Sequence, residues 1–348
     1  MKSILIALTI TGALLATYSL VNLQQATSTT KFLATPQYPE DIKSAWTQWV
    51  QKFGKSYGNL SDESYRLANF AANYAEIRSI NATPHFTWTA GLNQFSDLTK
   101  AEFTAKYTGH KPSKNLTKNE VSLKDTQVAP SKDWVLDGAV TPVKDQGACG
   151  SCWAFSATGA MEGHYHNLHG ELKSFSEQFF LNCNKHYPDM GCNGGNSAIT
   201  MMWTEKNGII TEDRMPYRAK VANDCYWSKY TSDFFNNDLM DVPADDNDEM
   251  IAAIHRQPIS IAVAAEKFMH YQSGIFNDWT CGNELDHAIL AVGYGSENGN
   301  LFYKVKNSWN TTWGEAGYIR FARKTGKGVG MCGLTSAACY PTGENPKP

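Results

Sequence analysis

No cysteine occurs between residues 20 and 128, and after the first sixteen or so residues no apolar run approaches the length of a membrane span. The first absence marks the N-terminal third as a unit whose stability comes from packing rather than from disulfides. The second leaves a soluble protein once any N-terminal targeting segment is removed, with no membrane as partner. An excess of one charge is missing too: 31 Lys and Arg stand against 34 Asp and Glu, giving a formal net charge of -3 and a pI near 6.3. Without a basic field, binding to phosphate backbones or anionic bilayers has no electrostatic support, so nucleic acid is set aside as a partner. Internal repeats and low-complexity tracts are also absent.

What is present is the composition of a globular protein, 42% hydrophobic and 19% charged. A chain of 348 residues has room for about two folding units. Lys2 precedes a short apolar stretch over residues 4–16 and a polar segment over 22–30, the pattern of a signal peptide, assigned to residues 1–21. Entry to the secretory route makes disulfides the expected fate of the eight cysteines, at 149, 152, 183, 192, 225, 281, 332 and 339. Sequons at Asn59, Asn81, Asn115 and Asn310 fit the same route.

Residues 42–81 have helical spacing: Trp46, Trp49 and Phe53, then Leu67, Phe70, Tyr74 and Ile77. Ser61 is placed to cap the second of these helices, with Asp62 and Glu63 in its first turn. A short strand is expected at 86–90, and residues 111–127 read as a polar linker open to proteolysis. Beyond 128 the texture turns to glycines, cysteines and aromatics. A helix is expected from Cys152 to about Leu168, its small residues Ala154, Ala157 and Ala160 implying close packing. Strands are expected at 258–264, 288–293 and 301–306.

The most informative segment is Gln146-Gly147-Ala148-Cys149-Gly150-Ser151-Cys152-Trp153-Ala154-Phe155. More than a hundred residues downstream stand Leu285-Asp286-His287-Ala288 and Lys306-Asn307-Ser308-Trp309. A thiol attacks a peptide carbonyl only as the thiolate. Ser151 is placed to cap a helix with Cys152 at its N-terminus, where the dipole favours negative charge. His287 would stabilise that thiolate as imidazolium and later protonate the leaving amine. Asn307 would orient the ring, Trp309 would shield it, and Gln146 would donate to the oxyanion beside the Cys152 N–H. Read alone, Cys149-x-x-Cys152 also fits a thiol oxidoreductase or half a zinc site, but no second close cysteine pair follows and no βαβ context precedes.

Taken together these segments resemble the papain family of cysteine proteases, and more closely its cathepsin L-like branch, over residues 40–341. In the N-terminal third, Arg66, Phe70, Asn73, Ile77 and Asn81 fall at the spacing of that branch's long-helix motif, with Asp62 where glutamate is usual. Gly91, Asn93, Phe95 and Asp97 fit its second motif. The resemblance implies an α+β, two-lobed fold, a helical lobe at about 137–237 and a β-barrel-like lobe at about 238–341, with the active site in the cleft between them. It implies an inhibitory propeptide at 22–127, lying along the cleft in reverse and released by acid, and a mature domain at 128–348. It implies an endopeptidase made as a zymogen, a monomer without metal or cofactor, whose partners are protein and peptide substrates and its own propeptide. The expected compartment is a lysosome, an acidic digestive vacuole or the exterior. Its disulfide pattern carries over as Cys149–Cys192, Cys183–Cys225 and Cys281–Cys332, with Cys339 left as a small buried hydrophobe. Gly194 and Gly195 match the segment that pairs with an extended peptide. Ser197, Ala262, Leu285, Ala288 and Ala337 match the pocket for the second residue before the scissile bond, and alanine at 337 implies apolar or aromatic preference there. The rival classes are an inactive, propeptide-bearing binding protein on the same fold and the CxxC oxidoreductase. Asn310 replaces the glycine common after the Asn-Ser-Trp segment and creates a sequon beside the cleft.

Overall fold

The structure, a computed structural model, describes residues 38–112, 119–123, 125–185, 189–225 and 231–345. The expected signal peptide and the sequon at Asn115 lie outside the described residues. By its contacts the chain divides after Ser44, and the described residues from Ala45 onward form one compact unit.

Three helices and a strand come first: α1 (Glu40–Lys52), α2 (Leu60–Asn81), β1 (Thr87–Ala90) and α3 (Lys100–Tyr107). The aromatic spacing does what helical periodicity predicts. Trp46 and Trp49 from α1 meet Phe70 from α2 at ring centroids of 5.3 Å each, burying all three. The cap of α2 is Asn59 and not Ser61: Asn59 is extended and its Oδ1 accepts from the Asp62 N–H at 2.9 Å. Both residues are good N-caps, and the hydrogen bond to the third helical residue decides between them.

The long-helix motif is a set of side-chain anchors for the chain that follows it. Asn73, buried, donates to the carbonyls of Ser96 and Leu98 at 2.9 and 2.8 Å. Arg66 donates to Glu102 at 3.0 Å and to the Asp97 carbonyl at 3.3 Å. Asn81 both donates to and accepts from the backbone of Ala90, at 2.9 and 2.8 Å, fixing β1. Asn93 reaches across to the Met269 carbonyl at 2.8 Å.

The rest comprises β2 (Lys132–Asp133), α4 (Cys152–His169), α5 (Glu177–Cys183), α6 (Ser197–Asn207), β3 (Asn236–Asp241), α7 (Asn247–Arg256), β4 (Ile259–Val263), β5 (Tyr271–Phe276), β6 (His287–Glu297), β7 (Asn300–Lys306), β8 (Tyr318–Ala322) and β9 (Ala338–Glu344). The strands run in the order β1-β5-β8-β7-β6-β4-β9-β3, with β2 on β6. This is an open sheet, so the barrel-like lobe expected from the resemblance is not a closed barrel: among the described residues its end strands β1 and β3 do not pair with each other. Strand β1 belongs to the N-terminal third and extends the sheet at β5, antiparallel.

Two hydrophobic clusters match two lobes. One gathers α4, α5 and α6 around Trp153, Phe179 and Met201, and the other gathers the sheet and α7 around Phe268, Tyr303 and Phe321. Helix α4 is buried along nearly its whole length. A Cβ on Gly163 would lie 2.5 Å from the Pro258 ring, so glycine lets α4 lie directly against the residue that leads into β4. Ser156 of α4 bonds Ser260 of β4 at 2.6 Å and the Ile289 carbonyl of β6 at 2.7 Å. That seating brings the N-terminus of α4 to the start of β6.

Candidate active site

Cys152 opens α4 and His287 opens β6, so helix-on-sheet packing alone makes them neighbours; the Ala288 N–H points at the Cys152 sulfur at 3.4 Å. Asn307 follows β7, which pairs antiparallel with β6 through Leu290 and Lys306. Its Oδ1 lies 2.9 Å from His287 Nε2. The Trp309 ring stacks on the imidazole at 4.5 Å and 19°. With Nε2 engaged by Asn307, the buried Nδ1 of His287 has no partner and is the nitrogen available for proton transfer.

Ser151 occupies the N-cap position of α4 but does not cap it. Its backbone lies at φ −104° and ψ 12°, and its hydroxyl bonds Tyr217 at 2.6 Å instead. Gln146 is wholly buried, its Oε1 held by Ser308 at 2.6 Å and its Nε2 donating to the carbonyls of Cys149 at 2.8 Å and Tyr107 at 3.1 Å.

Tyr107 ends α3, and from it the chain crosses the site. Its carbonyl also accepts from Trp309 Nε1 at 3.2 Å. The N–H groups of Gly109 and His110 both reach the Asp286 carbonyl at 2.8 Å. Gly195 donates to the Gly109 carbonyl at 2.9 Å and accepts from Lys111 at 2.7 Å, so His110 and Gly195 form a parallel bridge. A Cβ on Gly109 would fall 2.3 Å from the Gly150 carbonyl oxygen, so only glycine crosses here. Lys111, where the expected linker begins, is thus docked by a backbone hydrogen bond.

Covered in this way, both groups are shifted toward their neutral forms. Burial pushes the Cys152 thiol up to about 12, against the help of the Ala288 N–H. Burial pushes His287 down to about 3, more than the Asn307 contact restores, and His110 lowers it further. The dipole effect expected at a helix N-terminus is outweighed while the site is dry.

Ser197, Ala262, Leu285, Ala288 and Ala337 all line a single cavity of about 290 Å³, which His110 and Pro112 also line. Gly194 has a φ of 110°, and Gly195 is the bridge partner of His110. Cys149 is bonded to Cys192, Cys183 to Cys225 and Cys281 to Cys332, leaving Cys152 and Cys339 free. Cys149 and Cys152 are therefore not partners of one another, which removes the basis for a CxxC redox pair. Among the described residues no group of three or more His, Cys, Asp or Glu side chains could hold a metal.

Three features were not read from the sequence. Tyr107 and His110 meet the site through main-chain geometry and leave no side-chain signature. Beneath the site, Lys144 binds Glu177 at 2.8 Å and Glu162 at 3.5 Å, while Lys306 donates to Thr141, which donates to Glu162 at 2.7 Å. Asp189, buried, accepts from the Asn196 N–H at 2.7 Å and so braces the turn after Gly195.

A family model described as "Papain family cysteine protease" matches residues 128–342, and one described as "Cathepsin propeptide inhibitor domain (I29)" matches residues 46–103. "Digestive cysteine proteinase 1" of Homarus americanus is 39% identical over 312 residues, spanning 86% of this chain and 94% of that protein. A solved digestive procathepsin L 3 of Tenebrio molitor larval midgut superposes with a TM-score of 0.79 at 35% identity, over 87% of this chain and 100% of that one. A recombinant stem bromelain precursor gives 0.79 at 35%, over 88% and 100%.

Proposed function

Because the chain belongs to the papain family of cysteine proteases and carries a cathepsin-type propeptide inhibitor domain, we propose that it is a zymogen of an acid-activated endopeptidase whose nucleophile is Cys152. The observation that carries this reading is the docking of residues 107–111 over Cys152 and His287 by hydrogen bonds to Gln146, Gly195 and Asp286. The propeptide is residues 22–127 after a signal peptide at 1–21, and the mature enzyme, a monomer, is residues 128–348.

Once the strap leaves, water reaches the site and the proton of Cys152 passes to His287 Nδ1. The thiolate attacks the scissile carbonyl; the oxyanion takes hydrogen bonds from Gln146 Nε2, released by Tyr107, and from the Cys152 N–H. As the C–N bond breaks, His287 gives its proton to the leaving amine and a thioester remains. Water, deprotonated by His287, hydrolyses the thioester and restores the thiol. Asn307 and Trp309 keep the ring oriented throughout. Gly194 and Gly195 pair with the substrate backbone, and the cavity at Ser197, Ala262, Leu285, Ala288 and Ala337 takes an apolar or aromatic residue second before the scissile bond. The acidic end of the secretory route or the exterior is the place of action.

The inactive binding protein is disfavoured because Gln146, Cys152, His287 and Asn307 are all present. One experiment separates the readings: acid-activate the purified precursor, titrate it with an epoxide thiol-protease inhibitor and follow peptide cleavage. Loss of cleavage at one inhibitor per chain supports the proposal. Titration without cleavage of any peptide overturns it.

A further inference from the structure

Residues 111–127 read in the sequence as a linker, yet part of this stretch is built into the catalytic domain. Leu123 is 3% exposed and joins the hydrophobic cluster that holds Val242, after β3, and Met250 and Ile254 of α7. The Leu123 N–H donates to Glu249 Oε2 at 2.6 Å, and the Ser122 hydroxyl donates to Glu249 Oε1 at 2.5 Å. Upstream, the Asp241 N–H donates to the Asn119 carbonyl at 3.2 Å, and Asn119 Nδ2 reaches Asp238 at 3.1 Å. Glu120 bridges Asp241 in parallel and so adds to β3, an end strand of the sheet. Downstream, the Thr126 N–H closes a turn onto the Leu123 carbonyl at 2.8 Å, and Arg256 of α7 donates to the Thr126 hydroxyl at 3.3 Å.

All of these partners belong to the catalytic domain, and none to the helices of residues 40–107. Glu249 carries the most weight: it lies in the first turn of α7, is 1% exposed, and has both carboxylate oxygens held by residues 122 and 123. Hydrogen bonds to a charged group are among the stronger ones. Removing the segment exchanges both for water and uncovers the apolar surface that Leu123 shields. The exposed stretch at 125–130 is also fixed at both ends. Leu123 is seated on one side; on the other, the Ala129 carbonyl accepts from Tyr294 at 2.9 Å and Lys132–Asp133 pair with β6. A protease binds several residues in extended form, free of other pairing, and so short a span between two anchors does not supply them.

We infer that β3 and α7 form a docking surface for the chain's own residues 119–126, centred on Glu249, and that this segment stays on the enzyme when the strap leaves the cleft. The inference rests on the zymogen reading and refines the boundary at 127/128 taken over from the family resemblance. The mature chain begins before Asn119. Residues 119–126 then serve the enzyme as a fixed N-terminal strap over β3 and α7, while the inhibitory part of the propeptide ends upstream of them.

The test converts the full precursor in acid, stops it with the epoxide inhibitor, and reads the N-terminus of titrated chains by sequencing and by intact mass under denaturing conditions. Wild-type enzyme should carry Ser122 and Leu123 on essentially every titrated chain. Leu123→Ala withdraws the apolar anchor without altering the catalytic domain and should weaken docking by at least about thirtyfold. Glu249→Gln keeps the shape but removes the charge, for about tenfold or more. In either variant the undocked segment becomes a substrate, so the N-terminus should move downstream past Leu123. Titrated wild-type chains that begin after Leu123, or variants that keep the wild-type N-terminus, would overturn the inference and leave the protease reading intact. A wild-type precursor that neither converts nor titrates would defeat that reading, and this inference with it.

Discussion

His110 gives the strap a dependence on pH that can be worked through. Its backbone N–H is bonded to Asp286, but its ring Nδ1 is buried and has no partner. Burial, aided by the neighbouring Lys111 ammonium, pushes the docked imidazole down to about 4, whereas a released histidine titrates near 6.5. The docked state therefore binds the fewer protons. Its contribution to docking is fully present above pH 6.5 and is lost as the pH falls from there toward 4. At about pH 5 the released ring is almost wholly charged and the docked one almost wholly neutral, a difference of about 2 kcal/mol, or about thirtyfold in docking. Asp286 acts the other way to the extent that the strap buries it, since burial raises its carboxyl to about 6. His110→Gln keeps Asp286 and removes the imidazole, together with the downward push it exerts on His287. Where processing starts from the undocked population, its acceleration between about pH 7 and pH 5 should be roughly twentyfold greater in wild type than in His110→Gln. Parallel pH profiles for the two proteins would mean that the His110 imidazole does not govern docking.

Gln146→Ala removes the proposed oxyanion donor and should lower kcat of titrated enzyme by on the order of a hundred- to a thousandfold with little change in KM; steady-state kinetics on one peptide decides it. Glu162→Gln leaves the ammonium groups of Lys144 and Lys306 short of a buried carboxylate that they hold below its usual range against the cost of burial. Removing one partner of such a buried set costs about 3–5 kcal/mol, read as a fall in Tm of about 10 °C. At Asn81 the side-chain amide is used by Ala90, so a glycan there is incompatible with the docked β1. Peptide mapping of secreted precursor should find Asn81 bare, and an Asn81 glycan on inhibited precursor would contradict the placement of β1.

How much of the molecule is legible in the sequence depends on the kind of interaction that does the positioning. The trio Cys152, His287 and Asn307 is legible because each role demands a particular side chain, and three distant segments carry them together. Helices α1 and α2 are legible because Trp46, Trp49 and Phe70 recur on one face. Ser151 and Ser61 look like caps and are not, since capping depends on one backbone hydrogen bond that the neighbours Tyr217 and Asn59 redirect or supply. The strap is hidden for a deeper reason. Gly109, His110 and Lys111 dock through N–H and C=O groups that every residue has, and a run of polar residues after them reads as linker. Cys339, expected as a small buried hydrophobe, is buried and unpaired, but the cavity it lines depends on the pairing of β9 with β4 and is invisible in one dimension.

If Cys152 is a nucleophile silenced by burial under residues 107–111, the rate at which its thiol is alkylated reports it. In intact precursor at neutral pH, a small haloacetamide should leave Cys152 essentially unmodified, because the thiol is buried and burial pushes its titration up to about 12. After acid conversion the same reagent should modify Cys152 rapidly, one per chain, with activity lost in step. Equal alkylation rates before and after conversion, or cleavage that survives Cys152→Ala, would contradict the account.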